Sequence, residues 1–330
     1  MATIEVGGLT KHYGSVVALE GLTFSLDHGI VGLMGANGAG KSTLIKILLG
    51  LLQPTSGTAL VLGMDATTHG LHARERIGYM PEHDCLPPDV SAFAFVTHMA
   101  QLSGLPPREA AGRTADTLRY VGLDEERYRS IGGYSTGMKQ RVKFAQALVH
   151  DPQILFLDEP TNGLDPSGRE SMLDLIARTG REGTGLCIVM STHLLADVEH
   201  ICDQVVVLDG GTLIHAGALA SFSAAAPYVT VTVGPDGVSP LADVLRRCGL
   251  TVHPDGDTVV VDFAGDETYD VIRDATAQLG LPLLRMARRR TSLADLFRDD
   301  VPSAEPRVPS EDGRTQSSVL SPQSSDVGCP

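Results

Sequence analysis

Gly35-Ala36-Asn37-Gly38-Ala39-Gly40-Lys41-Ser42-Thr43 fills every fixed position of the pattern G-x-x-x-x-G-K-[ST]. Glycines at 35, 38 and 40 let the backbone turn tightly, so that successive N–H groups and the start of the following helix converge on one concavity that attracts anionic phosphate. Lys41 adds a point charge for the β- and γ-phosphates. The hydroxyl of Ser42 is a hard oxygen suited to Mg²⁺, and Thr43 is within reach of the α-phosphate. The context agrees, because residues 30–34 read as a short buried strand and residues 43–52 as a mostly apolar helix. A bound nucleoside triphosphate with Mg²⁺ is the expectation.

The 330 residues are long enough for about two domains, and an apolar content of 42% suffices for real cores. A net charge of −14 argues against a nucleic-acid partner, which calls for a basic footprint. The five cysteines, Cys85, Cys187, Cys202, Cys248 and Cys329, are scattered without a C-x-x-C pair, so neither a disulfide framework nor a zinc site is indicated and a reducing cytosol fits. The first residues lack the pattern of a secretion signal, and no apolar run is long enough to cross a bilayer.

Strand-like runs at 3–6, 22–26 and 59–62 surround the phosphate loop and predict an antiparallel flank on a mainly parallel sheet. Residues 89–150 read as helical, with breaks at 104–107 and 132–133. Apolar strands resume at 154–157 and 186–190, and the sheet is expected to end at 204–208. The fold class is therefore α/β: a nucleotide-binding domain over residues 1–215, with a helical subdomain at about 83–150, then a small α+β domain over 216–300. Within the second unit the order is strand 229–233, helix 240–248, strands 251–253 and 258–263, helix 267–279 and strand 282–285, the split β-α-β order. From Pro302 onward Ser, Pro, Gly, Asp and Gln dominate, and residues 301–330 are expected to be a disordered tail.

The run Ile154-Leu155-Phe156-Leu157-Asp158-Glu159 puts two carboxylates at the tip of a buried strand. Such a pair suits metal and base chemistry: Asp158 holding Mg²⁺ through water, Glu159 polarising the water that attacks the γ-phosphorus.

Shortly before it lies Tyr134-Ser135-Thr136-Gly137-Met138-Lys139-Gln140-Arg141, and this order resembles the ATP-binding cassette (ABC) family of P-loop NTPases, whose diagnostic segment is L-S-G-G-Q. Ser135 and Gly137 match; Tyr134, Thr136 and Met138 depart from the commonest form. Ser135 and Gly137 would sit at a helix N-terminus that favours an anion, and Ser-Thr-Gly in that place also serves simply as an N-cap. The resemblance extends to Asn162-Gly163-Leu164-Asp165, similar to the family's D-loop, and to Ser191-Thr192-His193, similar to its switch histidine. It implies that Asp165 helps join two cassettes, that His193 contacts the γ-phosphate and orients the attacking water, and that Tyr13 stacks on adenine. The family's Q-loop glutamine falls at Glu82, whose carboxylate still ligates a metal but donates no amide hydrogen bond.

The resemblance, closest to a branch of bacterial exporter ATPases, implies an ATP-hydrolysing subunit peripheral to the cytoplasmic face of the membrane. Its implied partners are a separately encoded integral membrane permease and a second cassette, expected as a homodimer around ATP and Mg²⁺. In that branch a small C-terminal domain is followed by a segment like residues 291–297, and the nearby Arg288, Arg289 and Arg290 fit either a solvated face or an anionic surface. Two other readings stay open: a soluble ABC ATPase acting on ribosomes or DNA, and a regulator that binds ATP without turnover.

Overall fold

The computed structural model describes residues 2–83, 85–182, 185–223 and 225–290; the expected tail and residues 291–297 lie outside them. The chain opens with a hairpin, β1 (Ile4–Tyr13) and β2 (Val16–Leu26), paired antiparallel from Ile4↔Leu26 to Tyr13↔Val16. Leu22, Phe24 and Leu26 are buried while Thr23 and Ser25 are exposed, the period of two of a sheet with one wet face. Next come β3 (Gly29–Met34), α1 (Lys41–Leu48), β4 (Ser56–Val61), β5 (Met64–Asp65), α2 (Gly70–Arg74) and β6 (Ile77–Met80). The antiparallel strands form a sheet of their own, in the order β2-β1-β4-β5, rather than an extension of the parallel one.

The helical stretch holds α3 (Ala92–Leu102), α4 (Pro107–Tyr120) and α5 (Thr136–Leu148). Ser91 Oγ accepts from the Ala94 N–H to start α3, and Pro107 takes the first position of α4, where its missing N–H costs nothing. The chain then returns to the sheet through β7 (Ile154–Asp158), α6 (Pro166–Glu182), β8 (Cys187–Thr192), α7 (Leu195–Ile201), β9 (Gln204–Asp209) and β10 (Thr212–Ala218). The six-stranded sheet runs β10-β9-β3-β8-β7-β6, parallel except for β10.

Strands β7 and β8 are buried throughout, and their side chains alternate between two cores. Leu155, Leu157, Ile188 and Met190 join Phe144 of α5 on one face; Ile154, Phe156, Cys187 and Val189 join Leu44 of α1 and the antiparallel sheet on the other. The sheet does not end at 204–208 as its apolar pattern predicts; β10 continues it to Ala218. That strand is half exposed along its length and carries little apolar signal.

The remaining elements are β11 (Ala225–Thr232), α8 (Val238–Arg247), β12 (Val252–Asp255), β13 (Thr258–Asp262), α9 (Glu267–Gln278) and β14 (Arg285–Arg290). They make an antiparallel sheet, β12-β13-β11-β14, around a core of Val229, Val231, Leu241, Leu245, Val259, Val261 and Ile272. The element order is the expected one, with a correction at its end. Residues 282–284 are an exposed approach, and the last strand is the arginine-rich β14, where Met286 packs on the core and the Arg288 guanidinium lies 3.9 Å from the Phe263 ring centre. Charged residues on such an edge strand discourage pairing with another chain.

Gly78 in β6 has a steric duty. A Cβ there would lie 2.5 Å from Leu155 Cδ2 and nearer still to the carbonyl oxygen of Ala147 in α5. Gly78→Ala is expected to destabilise the fold by about 1–3 kcal/mol through overpacking, read as a lower urea midpoint; an unchanged midpoint would show that α5 is free to lift off β6.

Candidate active site

Parallel register brings three strand ends to one level. Met34 lies opposite Thr192, and Asp158 opposite Ser191, so the loop after β3, the acids ending β7 and the histidine following β8 emerge together at the carboxyl edge of the sheet. That edge is where open α/β sheets bind ligands.

The 35–40 loop is shaped by close approach. A Cβ at Gly35 would come 2.8 Å from Ala39 Cβ and closer to the Leu208 carbonyl oxygen; one at Gly40 would meet Leu19 Cδ2 at 2.6 Å and Ala18 O at 2.7 Å. Gly40, with φ of 100°, is the N-cap of α1 and brings no side chain to it, and the first turn of α1 carries no acidic residue. The leading N–H groups of α1 are thus left to an incoming anion. Lys41 is buried, its Nζ donating to Gly35 O at 2.7 Å and to Ala36 O at 3.3 Å. Ser42 and Thr43 follow in the first turn of α1 and are half-buried.

Opposite the loop stand the two acids. Asp158 is buried, and its Oδ1 accepts from Ser191 Oγ at 2.6 Å. Ser191 Oγ also accepts from the Glu159 N–H at 2.9 Å, which holds Glu159 in the left-handed region at φ 49°. Few non-glycine residues adopt that conformation, and it marks a place where the surroundings dictate the backbone. Glu159 bridges two partners: Oε1 lies 3.7 Å from Lys41 Nζ and Oε2 3.0 Å from His193 Nδ1. Burial pushes its carboxyl above the ordinary glutamate value, against the opposing pull of His193 and Lys41. On the neighbouring strand the Tyr79 hydroxyl is pushed up to about 12 by burial first and then by Asp158.

Glu82 sits beyond β6 with its Oε1 3.4 Å from Asn162 Nδ2, while its carbonyl accepts from the buried Lys143 at 2.9 Å. Tyr13 is exposed at the β1–β2 turn, and Lys11 Nζ lies 5.3 Å from its ring centre. Ser135 caps α5, its Oγ accepting from Met138 N at 3.3 Å. The 162–165 loop lies beside it: a Cβ at Gly163 would be 3.5 Å from Thr136 Cγ2, and one at Gly137 3.8 Å from Leu164 Cδ2. Asp165 Oδ1 accepts from Gly168 N at 3.2 Å at the start of α6. No side-chain hydrogen bond or ion pair among the described residues joins Ser135, Gly137 or Asp165 to Lys41, Asp158, Glu159 or His193. Ser135, Gly137 and Asp165 therefore stand apart from the group of Lys41, Asp158, Glu159 and His193, while Tyr13 lies at the β1–β2 turn and Glu82 beside Asn162. Ser191 enters the sequence analysis only as the first residue of the 191–193 segment; its hydroxyl joins the two acids here, and no local pattern in that segment marks it for the task.

A glycine loop between a parallel strand and a helix, a buried lysine, and paired acids two strands away define a P-loop nucleoside triphosphatase. Residues 19–162 match the family described as ABC transporter. The chain is 34% identical over 305 residues to the Nod factor export ATP-binding protein I of Burkholderia orbicola, covering 90% of this chain and 96% of that one. It is 31% identical over 318 residues, 95% of each chain, to the daunorubicin/doxorubicin resistance ATP-binding protein of Streptomyces peucetius. The solved dimeric structure of a bacterial ABC transporter cassette matches with a TM-score of 0.59 at 25% identity, covering 66% of this chain and 98% of that one. The chain belongs to the ABC transporter family as an ATP-binding subunit, and it is an ATPase.

Because Glu159 holds its proton more tightly in the folded chain than in the unfolded one, its contribution to stability is present at acid pH and is lost as pH rises through the raised value. The neutral isostere Glu159→Gln should therefore melt higher than the parent at neutral pH, the gap closing on acidification. Thermal midpoints across that range test this; a parent more stable than the variant at neutral pH would mean that the Lys41 and His193 attractions outweigh burial.

Proposed function

We propose that this chain powers export through a separately encoded integral membrane permease, acting as a dimer of identical cassettes at the cytoplasmic face of the membrane. The observation that carries the proposal is the separation of its site residues. Lys41, Asp158, Glu159 and His193 meet within one chain, whereas Ser135 and Gly137 stand exposed or half-exposed at the start of α5 and, among the described residues, no side-chain hydrogen bond or ion pair joins them to that group. Two copies related by a two-fold axis would each supply what the other lacks. The dimeric state of the matched cassette, the export named for the Burkholderia orbicola relative and the drug resistance named for the Streptomyces peucetius one support the same reading. No helix among the described residues is long and apolar enough to cross a membrane, so the pathway is assigned to the permease.

The residues divide the work. The 35–43 loop and α1 bind the phosphates, Lys41 turns from the loop carbonyls to the β- and γ-phosphates, and Tyr13 offers a flat face to adenine. Ser42, Asp158 and Glu82 present the hard oxygens that suit Mg²⁺, which would neutralise charge on the β- and γ-phosphates. Glu159 takes the proton of the attacking water, its raised pKa bringing it nearer the working pH of a general base, and His193 orients Glu159 and the γ-phosphate. Ser135 and Gly137 of one copy close on the γ-phosphate held by the other, while Asp165 lies at the junction. Contacts to the γ-phosphate thus favour the closed dimer, and cleavage releases it.

In purified protein Glu159→Gln should lower kcat for ATP hydrolysis by at least about 100-fold and elute as a dimer with Mg-ATP but as a monomer without it. A variant that hydrolyses at the parental rate would remove Glu159 as the base, and one that stays monomeric at saturating Mg-ATP would remove the shared site. Affinity purification from detergent-solubilised membranes is expected to recover a multi-spanning protein; ribosomal subunits in its place would favour the ribosome-acting class.

A further inference from the structure

We infer that Asp197, in the first turn of α7, is a positioning residue that sets the Glu159–His193 pair. Its side chain is 0% exposed, and it joins three segments that are far apart in sequence. Oδ1 accepts from Arg169 Nε at 2.6 Å and pairs with Nη2 of the same guanidinium. Oδ2 accepts from Thr161 Oγ1 at 2.9 Å and from Thr192 Oγ1 at 3.4 Å. Thr192 Oγ1 in turn accepts from the Leu194 N–H at 3.1 Å, so the backbone is held on both sides of His193. Thr161 lies two residues beyond Glu159, and the Arg169 N–H donates to the Asp165 carbonyl at 2.9 Å. One carboxylate thereby fixes the segments that carry Glu159, His193 and Asp165.

The need for such an anchor is visible at His193, whose side chain is 46% exposed. Packing cannot hold a ring that open; its place is set by the backbone at 192–194 and by the 3.0 Å contact with Glu159. Bulk is a poor explanation for Asp197, since apolar residues of similar volume commonly replace buried ion pairs without loss of stability. A carboxylate with four donors instead fixes direction, and satisfied buried networks of this kind rigidify what they join. Hydrolysis is sensitive to that rigidity, because a misplacement of about 1 Å costs on the order of 100-fold in rate.

The inference rests on the reading of Glu159 and His193 as the hydrolytic pair, and the test separates the two. In the full chain, kcat and KM for ATP and the thermal midpoint are measured for Thr192→Val, Thr192→Ser, Asp197→Asn and Glu159→Gln. Thr192→Val keeps the β-branched shape and removes the hydroxyl, so it carries the test if Asp197→Asn fails to fold. Expected is a fall in kcat of about 100-fold for Thr192→Val with KM within about threefold of the parent, a midpoint close to the parent, and recovery of most of kcat in Thr192→Ser. If Glu159→Gln is inactive while Thr192→Val keeps the parental kcat, or if Thr192→Val loses kcat and ATP affinity together with its melting point, Asp197 is structural only and the inference fails. If Glu159→Gln itself hydrolyses ATP at the parental rate, the hydrolytic pair is misassigned and the inference falls with it.

Discussion

Three neighbouring parallel strands, β3, β8 and β7, end in register, and the site exists because they do. Side chains alternate along each strand, so a slip of one residue would exchange the two cores and turn Asp158 away from Ser191. Burial on both faces forbids that slip, since Leu155 and Phe156 are committed to opposite cores and neither tolerates water. The hydrophobic register thus sets the separation between the phosphate loop and the acids, and the chemistry inherits its dimensions from the packing.

Within that frame the charges are arranged in a line. Lys41 lies between the loop carbonyls and Glu159, and Glu159 lies between Lys41 and His193. A buried carboxylate alone would be costly; Lys41 and His193 on its two sides oppose the upward push that burial gives its pKa. The strained backbone at Glu159 belongs to the same arrangement, because the Ser191 hydroxyl that receives its N–H also donates to Asp158. One serine on the middle strand therefore aligns both acids of the next.

The phosphate loop could be read from its own local pattern and the acids at the end of β7 from a buried strand closing in two carboxylates, whereas the histidine after β8 stood out only by its place in the series of family-like segments. The strands around them could be read from their composition: four or five consecutive apolar residues bounded by turns have little alternative to a doubly covered sheet. Strand β10 escaped because it is half wet, and β14 was placed too early because arginines mask its alternation while Leu283 and Leu284, exposed in the structure, imitate a core segment. Ser191 and Asp197 were not legible for a different reason. Their partners lie 28 to 36 residues away, apart from neighbours on the same turn, and no local period encodes such a meeting. Ser135 was legible as two things at once, a cap and an anion contact, and its cap is formed here.

The bare contact at Gly78 gives α5 a mechanical meaning. The helix that begins at Ser135 ends directly on the backbone of β6, with no side chain between to act as a cushion, and β6 runs straight into the segment bearing Glu82. Lys143, farther along the same helix, grips that segment by its carbonyl. Helix and segment are thus joined at two points with no side chain between helix and strand at the first, so a tilt of α5 would be passed on to the segment bearing Glu82 rather than absorbed by repacking.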